Sequence, residues 1–189
     1  DQVTSLIRNP DHAADVAATG ATPQVADVEA LDVDGLADVF AGHDAVVWSA
    51  GAGGGDAART DAVDRAAAIR SMDAAEAAGV RRYVMVSYFG AGPDHGVPEG
   101  DSFYAYAQAK AAADEHLRAS GLDWTILGPS TLTDDPGTGA IHVGEGGAVH
   151  EVPRDDVALV AAATLEQPGT LHRTIDFVTG DTPVADAIA

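Results

Sequence analysis

Tyr106 and Lys110, separated by Ala-Gln-Ala, stand at positions i and i+4, which puts them one turn apart on the same face of a helix. A phenol beside an ammonium is an acid–base device. The cation favours phenolate, brings the tyrosine down from its usual pKa of about 10 toward working pH, and lets the hydroxyl pass a proton to or from a carbonyl or alcohol oxygen. The same lysine is placed to hydrogen-bond a cofactor ribose. Taken alone, Tyr and Lys four apart on an amphipathic helix are usually packing and snorkelling. Here Lys110 is the only lysine in the chain, and a role that arginine cannot fill would account for its survival.

Other groups can join this pair. Ser87 ends the apolar run Arg82-Tyr-Val-Met-Val-Ser87, and at the carboxyl end of a buried strand it would either polarise a substrate oxygen beside Tyr106 or satisfy backbone groups. Tyr88 and Phe89 then offer aromatic walls. Arg8 follows a strand-like run at the place where dinucleotide folds choose between cofactors, and an Arg there accommodates the 2′-phosphate of NADP; solvation of a strand end is the alternative. Asp27 and Val28, after the next strand, are placed to meet an adenine amino group and ring. Ser49, Ala50 and Gly51 are small enough for a backbone to approach a dinucleotide closely. Gly53-Gly54-Gly55 reads as a flexible turn, because no Lys-Ser/Thr follows it. His95, His142 and His150, with Glu145 and Glu151, match no helical ligand spacing, so no metal site is expected.

The elements that must position these groups alternate regularly. Strands are expected at 3–7, 22–28, 44–50, 82–87, 123–128, 148–152 and 174–178, with helices at 10–19, 31–40, 61–78, 103–120 and 154–166. Asn9-Pro10-Asp11 supplies a cap, a first-turn proline and an acid, and Gly20, Gly79 and Gly121 close helices. Residues 129–147 read as irregular. This spacing predicts an α/β fold, a doubly wound parallel sheet of the Rossmann type, in a single domain over residues 1–189. The chain opens on Asp and on what reads as the second strand of such a fold. The first βα unit, with its G-x-G-x-x-G turn, is therefore expected to be absent from it.

Composition narrows the function classes. The chain of 189 residues is 46% hydrophobic, enough for one core. Its net charge of −20 argues against nucleic acid and anionic membranes as partners. No apolar run approaches the roughly 20 residues of a membrane helix and nothing reads as a signal peptide, so a cytoplasmic protein is expected. The absence of Cys excludes disulfides and thiolate chemistry. Of 30 acidic residues 23 are Asp, spread singly, a texture that suits a salt-adapted surface; an acidic partner-binding or metal-buffering face is the other reading.

With Arg8, Asp27-Val28, Ser87 and Tyr106-x-x-x-Lys110 in view, the chain resembles the atypical short-chain dehydrogenase/reductase family, particularly its small NAD(P)H-binding, sugar-epimerase-like members. The resemblance runs from Val3 to Pro183 and is densest over residues 74–87 and 106–127. It implies a Rossmann fold binding NAD(P)(H), with Ser87, Tyr106 and Lys110 as catalytic serine, tyrosine and lysine; Arg8 is the residue that favours NADP(H) over NAD(H). It implies further that residues 128–132, including Pro129, Ser130 and Leu132, line the nicotinamide. A substrate pocket would come from residues 88–100 and 129–150, and a possible homodimer would form on the helices 61–78 and 103–120. Tyr88 departs from the second small hydroxyl that many relatives carry. The implied activity is an NAD(P)H-dependent oxidoreductase or epimerase-like enzyme acting on a small-molecule carbonyl, alcohol or sugar nucleotide. A non-catalytic NADP(H)-sensing protein is the alternative, and a cofactor-free α/β domain the plainest one.

Overall fold

The computed structural model describes residues 2–53, 56–145 and 150–189. Strand β1 (Thr4–Ile7) leads through a 3₁₀ turn (Pro10–His12) into helix α1 (Ala13–Ala18) and back to β2 (Thr22–Val25), which pairs with β1 in parallel. The Asn9 side chain accepts from Asp11 N ahead of Pro10, as its residue type predicts. Helix α2 (Val33–Phe40) is capped by Asp32, whose carboxylate accepts from Gly35 N at 2.9 Å, and precedes β3 (Ala45–Trp48).

The next helix starts earlier than its hydrophobic pattern implies, because Asp56 caps it through the Ala58 and Arg59 amides. It runs as α3 (Ala57–Thr60), a π-helical stretch (Asp61–Ala67) and α4 (Ala68–Ala77). Strand β4 (Arg82–Val86), α5 (Tyr104–Ala119) and β5 (Asp123–Pro129) complete the central units. Then come β6 (Thr131–Thr133), β7 (Ala140–Val143), β8 (Glu151–Pro153), α6 (Arg154–Glu166), β9 (Arg173–Thr179), β10 (Thr182–Pro183) and α7 (Val184–Ala187). Of the expected strand 148–152, Ala148 and Val149 lie outside the described residues, as do Gly54 and Gly55 of the glycine-rich turn.

The fold is Rossmann-like, with the six-stranded order β10-β7-β9-β5-β4-β3. Strands β3, β4, β5 and β9 run parallel, whereas β7 is antiparallel to β9 and β10 antiparallel to β7. The expected doubly wound parallel sheet is present, with two antiparallel strands added at this edge. No helix separates β5 from β7, so the chain has no crossover to return it to the other end of the sheet and must run back down. The pairs β1-β2 and β6-β8 form two further parallel sheets.

Side chains alternate across the central strands with the period of two that a sheet imposes. Tyr83, Met85, Trp124 and Ile126 face one core with Leu36, Phe40, Met72 and Leu117 of α2, α4 and α5. Val84, Leu127, Ile175 and Phe177 face the other, under α6 and α7. Both faces are covered, which is why the strands read as nearly continuous apolar runs. Among the described residues no helix is long and apolar enough to cross a membrane.

Candidate active site

The carboxyl ends of β4 and β5 do not stop at their last residues. Ser87 N donates to Leu127 O at 2.7 Å, Phe89 N to Pro129 O at 2.9 Å and Ser130 N to Phe177 O at 3.1 Å. This continued ladder fixes two short segments that diverge above the sheet, where open α/β folds take their ligands. A cavity of about 460 Å³ lies between them. Ser87, Tyr88 and Phe89 line one side with Phe103 and Tyr106 at the start of α5, and Pro129, Ser130, Thr131 and Leu132 line the other. The structure thus brings Ser87, Tyr106, Pro129, Ser130 and Leu132 into one site.

Lys110 lies below Tyr106 on α5 and is 1% exposed. Its ammonium donates to Val86 O at 2.9 Å and to Met85 Sδ at 3.1 Å. The expected effect of the lysine on the tyrosine is corrected here. Burial raises the Tyr106 phenol above its ordinary value, and Asp64, Asp114 and Tyr88 add to the rise. The physical reason is that Lys110 spends two of its three N–H groups on β4 while the carboxylates see the phenol. Tyr106 is a protonated acid across the neutral range.

Three buried or half-buried carboxyl groups surround this pair and escaped the sequence reading. Asp114, 0% exposed, takes the Ser87 hydroxyl at 2.6 Å, and its second oxygen has no partner among the described residues. Asp64, 2% exposed in the π-helical stretch, accepts from Ala52 N at 3.1 Å. Asp176 on β9 accepts from Gly90 N, and a side chain at Gly128 would overlap its carboxylate. Burial raises all three above the ordinary carboxylate range, with Lys110 drawing Asp64 and Asp114 back down. Asp114 was findable, since it continues the Tyr106, Lys110 stripe by another four residues; Asp64 is hidden among 23 aspartates.

A carboxyl whose pKa is raised by folding binds its proton more tightly in the native state, so its contribution to stability is whole below the unfolded value of about 4 and is lost as pH rises through the folded one. Asp114→Asn, which keeps the shape without the charge, is therefore expected to match the wild type in thermal unfolding near pH 4 and to unfold at a higher temperature at pH 7. Equal unfolding temperatures at both pH values would show that Asp114 does not titrate abnormally.

The remaining candidate residues gather at the ends of β1, β2 and β3. Arg8 is exposed and pairs with Glu29 at 2.8 Å, and Arg59 of α3 reaches the same oxygen at 3.4 Å. Asp27 turns one carboxylate oxygen to Glu29 N, and Val28 packs partly against the core. Ser49, Ala50 and Gly51 are exposed beyond the last residue of β3, and a Cβ on Gly51 would lie 3.1 Å from the Asp64 carboxylate. These features fit a nicotinamide dinucleotide: a side-chain-free backbone at a strand end, a buried ammonium with one N–H to spare, and an exposed arginine. His142 bonds to Glu145 O and His95 to Gln108, and among the described residues no three His, Asp or Glu are grouped to hold a metal ion.

Comparison with known proteins identifies the family and the fold. A family model described as NAD(P)H-binding matches residues 1–168. A Bacillus subtilis protein named sugar epimerase YhfK, itself uncharacterised, is 34% identical over 187 residues, 98% of this chain and 86% of the relative. A Bacillus halodurans structure described as an NAD-dependent epimerase/dehydratase superposes with a TM-score of 0.88 at 32% identity, over 99% of this chain and 86% of that one. The oxidoreductase ylbE from Lactococcus lactis superposes at 0.83 and 25% identity, over 99% and 84% of the two chains.

Proposed function

The chain belongs to the NAD(P)H-binding family, among the atypical short-chain dehydrogenases/reductases, and from that premise we propose that it is an NADP(H)-dependent oxidoreductase acting on a carbon that bears oxygen. The observation that carries this reading is Tyr106: a neutral phenol at the wall of a cavity, beside Ser87 and above the buried Lys110. The nicotinamide, when bound, supplies or accepts hydride. Tyr106 gives the substrate oxygen its proton in the reductive direction. Lys110 holds the cofactor ribose with its remaining N–H. Ser87 lines the cavity with its hydroxyl held by Asp114, which accepts its hydrogen at 2.6 Å.

Arg8 is the reader of the 2′-phosphate, with Arg59 converging on the same place. Arg8→Ala is expected to weaken NADPH about tenfold, a loss of ~1.4 kcal/mol, while leaving NADH affinity as it was. The effect is modest because Arg8 is exposed and already shared with Glu29. The experiment for the whole reading is calorimetric titration with NADPH and NADH in molar KCl, which screens the charge of −20. Tight NADPH binding with weaker NADH supports it; no binding of either dinucleotide overturns it.

A further inference from the structure

Two cations of this acidic chain converge on one carboxylate oxygen. Arg8, just past β1, donates to Glu29 Oε1 at 2.8 Å, and Arg59 of α3 reaches the same atom through Nε at 3.4 Å and Nη2 at 3.5 Å. Among the described residues no other carboxylate oxygen takes two guanidinium groups; Arg65, Arg81, Arg118 and Arg154 each pair with an acid of their own. Two guanidinium groups against one carboxylate leave a local positive excess in a chain whose net charge is −20. Such a place favours an anion that carries more than one charge.

The backbone of Glu29 is fixed. Its amide donates to Asp27 Oδ1 at 3.0 Å, and Arg70 of α4 donates to the carbonyls of Val28, Glu29 and Leu31 at 3.1, 3.3 and 3.2 Å. Asp27 is committed to this turn and Asp56 to the Ala58 and Arg59 amides. The Glu29 side chain, by contrast, is 28% exposed, so its carboxylate can swing into water without becoming a buried, unpaired charge. A phosphate, with three terminal oxygens and up to two charges, meets two guanidinium forks better than one shared carboxylate oxygen does.

We propose that Glu29 is the chain's own occupant of the 2′-phosphate site, and that NADP(H) binds by displacing its carboxylate from between Arg8 and Arg59. Glu29 is then a specificity determinant that acts against the phosphate. NADH carries no 2′-phosphate and leaves the two ion pairs in place, so the displacement costs affinity for NADPH alone and narrows the preference between the two dinucleotides. The inference rests on the assignment of Arg8 to the 2′-phosphate.

The test is calorimetric titration of the wild type, Glu29→Gln, Arg8→Ala and the double variant in molar KCl with NADPH, NADH and adenosine 2′,5′-bisphosphate, which carries the 2′-phosphate without the nicotinamide. Glu29→Gln is expected to bind NADPH and the bisphosphate about threefold to tenfold more tightly than the wild type, the size of one or two exposed ion pairs, with NADH unchanged. In the Arg8→Ala background the same substitution should gain less, because the two residues act on one another. Unchanged or weaker NADPH binding by Glu29→Gln overturns the inference, as does an equal gain for NADH; the assignment of Arg8 survives either result if Arg8→Ala still weakens NADPH selectively. Arg8→Ala binding NADPH as the wild type does, or no binding of either dinucleotide, removes that assignment and the inference with it.

Discussion

Tyr106→Phe is expected to lose on the order of 10²-fold or more in turnover while binding NADPH almost as well as the wild type. The substitution removes one oxygen from a ring whose packing against Tyr88 and Phe103 is unchanged, so the cavity keeps its shape. What disappears is the proton. The pH dependence sharpens the test, because burial and the neighbouring carboxylates raise the phenol above its ordinary value. The acid form that reduction requires then persists through neutrality, and the reductive rate should be flat there. The base form that oxidation requires is scarce and grows tenfold for each pH unit, so the oxidative rate should climb. A Tyr106→Phe enzyme with an unchanged rate, or opposite pH slopes, would take Tyr106 out of the proton path.

Lys110→Met is the second large effect. Methionine fills much of the same volume, but Val86 O loses its donor and the Asp64 and Asp114 carboxyls lose the ammonium that draws both of them down. Removing one partner of a buried set costs on the order of 3 kcal/mol. The sign of the pH dependence follows from the carboxyls. Without the ammonium their folded-state pKa values rise further, and a raised pKa is stability lost as pH increases through it. The variant should lie nearest the wild type in acid and fall furthest behind at neutral pH in urea unfolding, with NADPH affinity and turnover both reduced. A deficit that is the same at every pH would mean that Lys110 acts by packing alone.

Much of this was legible in the sequence because the central elements are of the kind that local pattern specifies. The buried runs at 82–86 and 123–129 and the helix at 154–166 carry their own boundaries in β-branched residues, glycine and helix formers. Tyr106 and Lys110 were found because helical spacing is fixed by geometry. What was not legible is set by tertiary contact. Strand β7 is four residues in a glycine-rich stretch and becomes a strand only because β9 presents an edge to it. The elevated phenol could not be read from Tyr106 and Lys110, since its causes include Asp64, 42 positions away, and a lysine that packs downward. Arg8 was placed correctly at a strand end, but its sharing of Glu29 with Arg59 depends on how three loops meet.

The π-helical stretch from Asp61 to Ala67 has an evolutionary implication. A turn of this type holds one residue more than an α-turn spanning the same rise, so it behaves as an insertion that a helix has absorbed without breaking. The helix on either side keeps its own register: α4 still presents Met72, Ala74 and Ala75 to the core, while Asp64 is swung under the loop that follows β3. Relatives that lack the extra residue would align with this chain only through a gap placed inside a helix, and the column holding Asp64 would be the one scrambled.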